Sequence, residues 1–381
     1  MHWIWGIVLS LASPIACEAC TCGYVLTDDA DKSAPPVVFT DSLVTDFGLL
    51  SDISRATDWT RQQFNVSAEA GRGTHGKSFR VENVFSYTGP NLAEHQDVDG
   101  GFRSQRAMGL RVGSILTEMG AIAAAEIDSA RMDMFWGSYR VTMKLTRTSG
   151  TCAAFFWRIL SEGQYRNDSQ EIDMEFLSRE FDVAAKIFPV NLVMHSRDSM
   201  RDGYDASKSG TLRRVELPFD PTSDFHEYRF DYLPGRVTFH ADDHVLAEMR
   251  GERVPSSGGH LILQHWSNGN TLWSGGPPAS DAVVLVRSVK AYFNSSVAHK
   301  DAISNWNDAC NSGEKREETC QVPDKASQDS RSSDDSTGDR GHGNNNGPTT
   351  QEDSQGYHGM MAPTTTRLAL LLMSGALLSS M

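Results

Sequence analysis

The chain has 381 residues, 39% of them hydrophobic, enough for one large domain or two ordinary ones. Its formal net charge of −14 argues against electrostatic capture of nucleic acid, whereas a neutral polymer needs no charge match. Nearly all aromatic and β-branched residues lie in the middle of the chain, which predicts a single folded domain over residues 20–321.

At the N-terminus, residues 3–12 form an apolar run too short to span a bilayer. It predicts a secretory signal over residues 1–19, with Ala16 and Ala19 as candidate last residues. Cys17, Cys20, Cys22, Cys152, Cys310 and Cys320 fit an oxidising compartment. Cys310 and Cys320 are close enough in sequence to close one loop, and Cys20 and Cys22 are candidates to tether the N-terminal segment to Cys152. The connectivity itself stays open at this level. Asn65, Asn167 and Asn294 each begin a glycosylation sequon.

Short β-rich runs follow at residues 81–87, 108–112, 138–145, 152–159, 171–177, 189–195, 228–232, 237–241, 260–266 and 283–293. Gly, Pro, Asp and Asn punctuate them, which predicts an all-β sandwich or barrel. Ser149-Gly150 reads as a hairpin turn between two consecutive strands, and Asp242-Asp243 marks another.

Within this series, Gln170-Glu171-Ile172-Asp173-Met174-Glu175-Phe176 alternates acids with apolar residues. In a strand, Glu171, Asp173 and Glu175 line one face while Ile172, Met174 and Phe176 pack behind. Three carboxylates in a row repel each other, so folding gives little reason for them. A retaining glycosidase does: it needs two carboxyl groups about 5–5.5 Å apart, one a nucleophile and one an acid/base. Residues four apart in a strand are separated by roughly 13.5 Å at their α-carbons, a gap that two glutamates leaning together can close.

Glu-Ile-Asp-Met-Glu-Phe resembles the active-site strand of glycoside hydrolase family 16. The resemblance extends over residues 37–293. It includes Phe135-Trp136-Gly137-Ser138-Tyr139-Arg140-Val141, Phe219-Asp220, Phe225-His226-Glu227-Tyr228-Arg229-Phe230-Asp231, Pro234-Gly235 and His260-Leu261-Ile262-Leu263-Gln264-His265-Trp266. His265-Trp266-Ser267-Asn268-Gly269-Asn270, with Leu272 to Pro278 after it, is similar to a secreted fungal branch. The resemblance implies a concanavalin A-like β-jelly roll: two curved antiparallel sheets with the substrate in a concave cleft. It also implies that Glu171 is the nucleophile, Asp173 its support and Glu175 the acid/base. Trp266 and Gln264, of one strand parity, are candidate sugar contacts, with Arg103, Asn191, Trp157 and Trp273. Trp273 is expected to be exposed on its Gly/Pro-rich loop. His265 has the opposite parity and is expected inside the sandwich. Many lichenases carry a Trp two residues before the first Glu, where this chain has Ser169, so lichenase specificity does not transfer directly.

The resemblance thus implies a retaining endo-glycosidase acting on β-1,3 or β-1,3(4)-glucan of the fungal wall, monomeric and without redox or nucleotide cofactor. Some members carry a structural calcium ion, but no acidic loop in this sequence marks a site, and no metal ligand is assigned. A transglycosylase joining glucan, or chitin and glucan, would use the same residues. A non-catalytic lectin is a reading of another class, and the acid row speaks against it.

Residues 322–366 are rich in Ser, Asp, Gly, Asn and Thr, and bury too little apolar surface to offset chain entropy. An apolar tail over 367–381 behind this linker has the form of a glycosylphosphatidylinositol signal, with Ser354 as candidate attachment site and the lipid as the only membrane contact.

Overall fold

The computed structural model describes residues 20, 22–27, 36–89, 106–159, 170–196, 206–297, 310 and 319–322. The expected signal, the linker beyond Val322 and the apolar tail lie outside these residues, as do Arg103, Asn167 and Ser354. The described residues form β1 (Tyr24–Leu26), β2 (Val37–Phe39), β3 (Asp41–Asp46), β4 (Trp59–Arg61), β5 (Phe64–Val66), β6 (Gly76–Phe79), β7 (Val84–Thr88), β8 (Arg106–Val112), β9 (Ala121–Ser129) and β10 (Met134–Lys144). There follow β11 (Cys152–Arg158), β12 (Glu171–Leu177), β13 (Pro189–His195), β14 (Leu212–Glu216), β15 (His226–Leu233), β16 (Arg236–Ala241), β17 (His244–Arg250), β18 (His260–Trp266), β19 (Ala282–Ser295) and β20 (Cys320–Gln321). Among the described residues, no helix is long and apolar enough to cross a membrane.

Two large sheets dominate. One runs β14-β13-β12-β11-β18-β9-β6-β5, with β4 beside β9; the other runs β17-β16-β15-β10-β19-β8-β7, with β3 beside β19. Neighbours are antiparallel except β6 against β9. The period-2 pattern explains how the sheets stack. Phe155, Trp157, Ile172, Met174, Phe176, Leu192, Leu261 and Leu263 from the first sheet meet Tyr139, Phe230, Tyr232, Phe239 and Phe293 from the second in one core. Ring pairs bridge the two layers: Phe176–Tyr228 at 4.7 Å, Trp157–Tyr232 at 5.0 Å and Phe155–Phe230 at 5.1 Å between centroids. Each such pair contributes about 0.5–1.5 kcal/mol beyond its buried area. The architecture is the expected jelly-roll sandwich.

Several expectations need correction. Trp157 is fully buried in this core, and its Nε1 donates to the Met134 carbonyl at 2.9 Å. It is a structural residue, because it shares the parity of Phe155 and leaves Phe156 on the other face. Ser149-Gly150 is not a hairpin turn. β10 and β11 belong to different sheets, so this link crosses the sandwich. Asp242-Asp243 does turn a hairpin, between β16 and β17, with Asp242 at φ 47°. Asn294 is buried; its Oδ1 accepts from Thr40 N at 3.1 Å and its Nδ2 donates to Val38 O at 3.3 Å. A glycan on Nδ2 would crowd the bond to Val38 O in this buried setting, whereas Asn65 is exposed on the edge strand β5.

β1 lies between β2 and β20 in a small third sheet that packs on Leu233 and Tyr292 of the eight-stranded sheet. Disulfides Cys20–Cys320 and Cys22–Cys310 fasten this strap. Neither expected pairing occurs. Cys152 opens β11, within the nine-stranded sheet, away from the strap, and is a buried free thiol. The bridges close segments of 300 and 288 residues. The second adds little once the first has formed, so reducing both should lower unfolding free energy by about 2–5 kcal/mol in total. Urea midpoints with and without dithiothreitol, followed by tryptophan fluorescence, measure this; identical midpoints would show that the strap contributes nothing.

Candidate active site

β12 supplies the acids. Glu171, Asp173 and Glu175 are 2%, 2% and 6% exposed and share the face turned away from the core, while Ile172, Met174 and Phe176 fill the core side. Strand register builds the surroundings. Arg158, Phe156 and Ala154 on β11 stand opposite Glu171, Asp173 and Glu175. His260, Ile262 and Gln264 on β18 stand opposite those three. Asp128 and Glu126 on β9 stand opposite Ile262 and Gln264. On the far side of β12, His195 and Asn191 of β13 flank Glu171 and Glu175. The centre of this face is a small apolar island of Ala154, Phe156 and Ile262, bounded by acids on both sides. Such a floor suits the apolar face of a pyranose ring, with polar groups at its rim.

The protonation states are pushed apart. Burial, then the charge of Glu171, raises Glu175 to about 7; Trp273, Lys77 and Cys152 pull the other way. Burial, the charge of Glu171 and a hydrogen bond with Glu171 raise Asp173 well above the usual carboxylate range. Arg158 Nε lies 3.5 Å from Glu171 Oε2. Burial beside the charge of Glu171 thus favours the protonated forms of Asp173 and Glu175, the form in which a carboxyl can act as an acid. Glu126 also rises to about 7 through burial, opposed by Gln264, Lys77 and Arg158. Glu171 Oε1, Asp173 Oδ2, Asp128 Oδ1, His260 Nδ1 and Trp273 Nε1 are buried without a hydrogen-bond partner. Each such atom costs about 1–3 kcal/mol if left unpaired. Their concentration around one face is what a polyhydroxylated ligand can satisfy.

Of the other residues singled out in the sequence, Trp266, Gln264 and Asn191 reach this face, each nearly buried. Lys77 Nζ sits 4.0 Å from the Trp266 ring centroid, so one ring face already holds a cation. Gln264 Nε2 donates to Glu126 Oε2. Trp273 is 5% exposed rather than open on its loop, because the loop is clasped. Asn268 Nδ2 donates to Gly71 O at 2.6 Å, His75 N to Asn268 O at 2.9 Å, and Asn270 Nδ2 to Arg72 O at 3.1 Å. Gly73 permits this approach, since a Cβ there would lie 2.2 Å from Asn268 O. Arg179 Nε then holds the Trp273 carbonyl at 2.7 Å. The Trp273 indole makes no hydrogen bond by geometry, yet lies near enough to Glu175 to favour its ionised form. His265 is inside the sandwich, as its parity implies, between Leu110 O and Thr151 Oγ1.

The sequence reading missed Glu126, Asp128, Arg158 and Lys77. Glu126-Ile127-Asp128 repeats the alternation seen in β12, but it follows Ala-rich residues with little strand propensity. Among the described residues, no group of His, Cys, Asp or Glu is placed to hold a metal ion.

Residues 95–282 match the model described as glycosyl hydrolases family 16. Family 16 is thereby supported. A probable xyloglucan endotransglucosylase/hydrolase protein 27 of Arabidopsis thaliana is 30% identical over 146 residues, 36% of this chain and 38% of that protein. A beta-glucanase of Paenibacillus polymyxa is 26% identical over 141 residues, 37% of this chain and 52% of that protein. The chain thus spans between a third and about half the length of these relatives. The X-ray structure of an endo-beta-1,3-glucanase from Pyrococcus furiosus aligns with a TM-score of 0.51 at 18% identity, covering 71% of this chain and 97% of that one. That likeness concerns the fold: both chains are built on the same β-sandwich.

Proposed function

We propose that this protein is a retaining endo-acting glycoside hydrolase of β-1,3 or β-1,3(4)-glucan, secreted and held at the cell surface of a fungus by a glycosylphosphatidylinositol anchor. The observation that carries the chemistry is the shared face of Glu171, Asp173 and Glu175, with Glu175 raised to about 7. Glu171 attacks the anomeric carbon while Glu175 gives its proton to the departing glycosidic oxygen. The ester neutralises Glu171 and removes the charge that had raised Glu175. Glu175, left ionised by that donation and now free of the opposing charge, takes the proton of the incoming water, which releases the sugar and restores Glu171. Disulfides in the described part support an extracellular setting.

The same intermediate serves a transglycosylase when a sugar hydroxyl replaces water. The endotransglucosylase/hydrolase name of the Arabidopsis relative favours keeping this second reading. Incubation with laminarin, lichenan and chitin oligomers, followed by product sizing, separates them. Hydrolysis yields only shorter chains, and transfer also yields longer ones. Because the first step needs Glu175 protonated, kcat/KM should fall as pH rises through about 7. Inertness toward every β-glucan tested would reject the proposal.

A further inference from the structure

Two buried reactive groups beside the acid row have no part in the double displacement: the Cys152 thiol and the Lys77 ammonium. Cys152 opens β11 on the same face as Ala154, two register pairs from Glu175, and is fully buried. Its Sγ lies 3.7 Å from Glu175 Oε1, within reach of a thiol hydrogen bond. Lys77 lies on β6, beyond β11, β18 and β9, and is 2% exposed. A fully buried lysine is rare without partners of opposite charge. Here its Nζ rests on the Trp266 ring at 4.0 Å, and Trp266 stands opposite Cys152 in the β11–β18 register. Its ammonium thus sits among Cys152, Glu126 and Glu175, each of which favours its charge.

We propose that Cys152 and Lys77 are positioning residues for Glu175: the thiol donates to its carboxylate, the ammonium balances its charge, and together they favour the ionised form that the second half of the reaction needs. This rests on Glu175 being the acid/base. The groups facing Glu175 divide clearly. Glu171, on its own strand, disfavours its ionisation, and so does burial; Cys152 from β11, Lys77 from β6 and the Trp273 indole favour it; Asn191 of β13 is neutral. Burial also holds the Cys152 thiol well above its ordinary value, so it stays a donor at neutral pH. While Glu171 is charged, the two influences compete and Glu175 keeps its proton. Once Glu171 is esterified, Cys152 and Lys77 act with one opponent fewer. The proton delivered in the first step is then not simply regained, and Glu175 is ready to accept one from water.

The test is the pH dependence of laminarin hydrolysis by Cys152→Ala, Cys152→Ser and Lys77→Met, in the full-length protein, with thermal melting as the fold control. Removing a group that favours the carboxylate raises its pKa. The basic limb of kcat/KM should therefore move up by about half a unit in Cys152→Ala and by about one unit in Lys77→Met. Cys152→Ser, which keeps a donor, should leave the limb in place or lower it. At pH 6, kcat and KM should fall together in Cys152→Ala, because the glycosyl-enzyme accumulates when its base is protonated. A merely structural role moves neither the limb nor this joint fall. If Lys77→Met does not fold, the two Cys152 variants decide alone. Limbs within about 0.2 units of the parent in the folded variants would overturn the inference. Glu175→Gln separates the two levels: an active Glu175→Gln overturns the acid/base assignment itself, whereas an inactive one with unmoved limbs overturns only the role of Cys152 and Lys77.

Discussion

Glu171→Gln should lose at least about 10⁴-fold in kcat/KM on laminarin while remaining folded. The amide has the shape of the carboxylate but no nucleophilic charge, so the covalent intermediate cannot form. The fold should tolerate the change. Glu171 loses its 3.5 Å contact with Arg158, but the row of three buried acids also loses one source of repulsion. The net effect on unfolding free energy should stay within about 1 kcal/mol. A further consequence has a definite sign. The charge of Glu171 is among the causes that raise Glu175, so Glu175 should titrate lower in this variant, with its carboxylate band appearing at lower pH in difference infrared spectra. A variant that hydrolyses laminarin at the parental rate would refute the nucleophile assignment. One that is inactive and unfolded would say nothing of chemistry, which is why circular dichroism accompanies the assay.

The acid row was legible because its alternation violates what packing alone would choose. Ile172, Met174 and Phe176 fixed the parity, and the parity fixed which face Glu171, Asp173 and Glu175 share. The same logic assigned Gln264 and Trp266 to the cleft and His265 to the interior. At Trp157, placed among the candidate sugar contacts, register decides the face: Phe156 pairs with Asp173, so Trp157 turns inward with Phe155. The missed residues had a different cause. Lys77 lies in Gly76-Lys77-Ser78-Phe79, a four-residue strand with no apolar periodicity, and reaches the site only because β6 runs parallel to β9. A parallel pairing of segments so distant leaves no local trace in the chain. The disulfides were illegible for a related reason: β1 and β20 meet from opposite ends of the domain, and sequence proximity favoured the wrong partner for Cys310. Trp273 was misread as exposed because the clasp from Asn268 and Asn270 to the 71–75 loop depends on hydrogen bonds between loops almost 200 positions apart.

Glu175→Ala should distinguish acid/base catalysis from a structural role by the substrate on which it fails. On laminarin the leaving group is a sugar alkoxide that must be protonated, and the loss should be about 10²–10⁴-fold. On a dinitrophenyl β-laminaribioside the leaving phenolate needs no proton, so formation of the glycosyl-enzyme should proceed within about tenfold of the parent, limited only by altered packing near Trp273 and Cys152. Hydrolysis of that intermediate should then be slow, since water has lost its base, giving a burst of phenol followed by a low steady rate. Azide, which needs no deprotonation, should raise the steady rate and yield a glycosyl azide. With Glu175 absent, the fall in rate that the parent shows as pH rises through about 7 should also disappear, because the group raised to that value is gone. Equal losses on laminarin and on the activated glycoside, with no response to azide, would mean that Glu175 positions substrate and that the proton comes from elsewhere on this face. Glu126, raised to about 7 on β9, would be the group to test in its place.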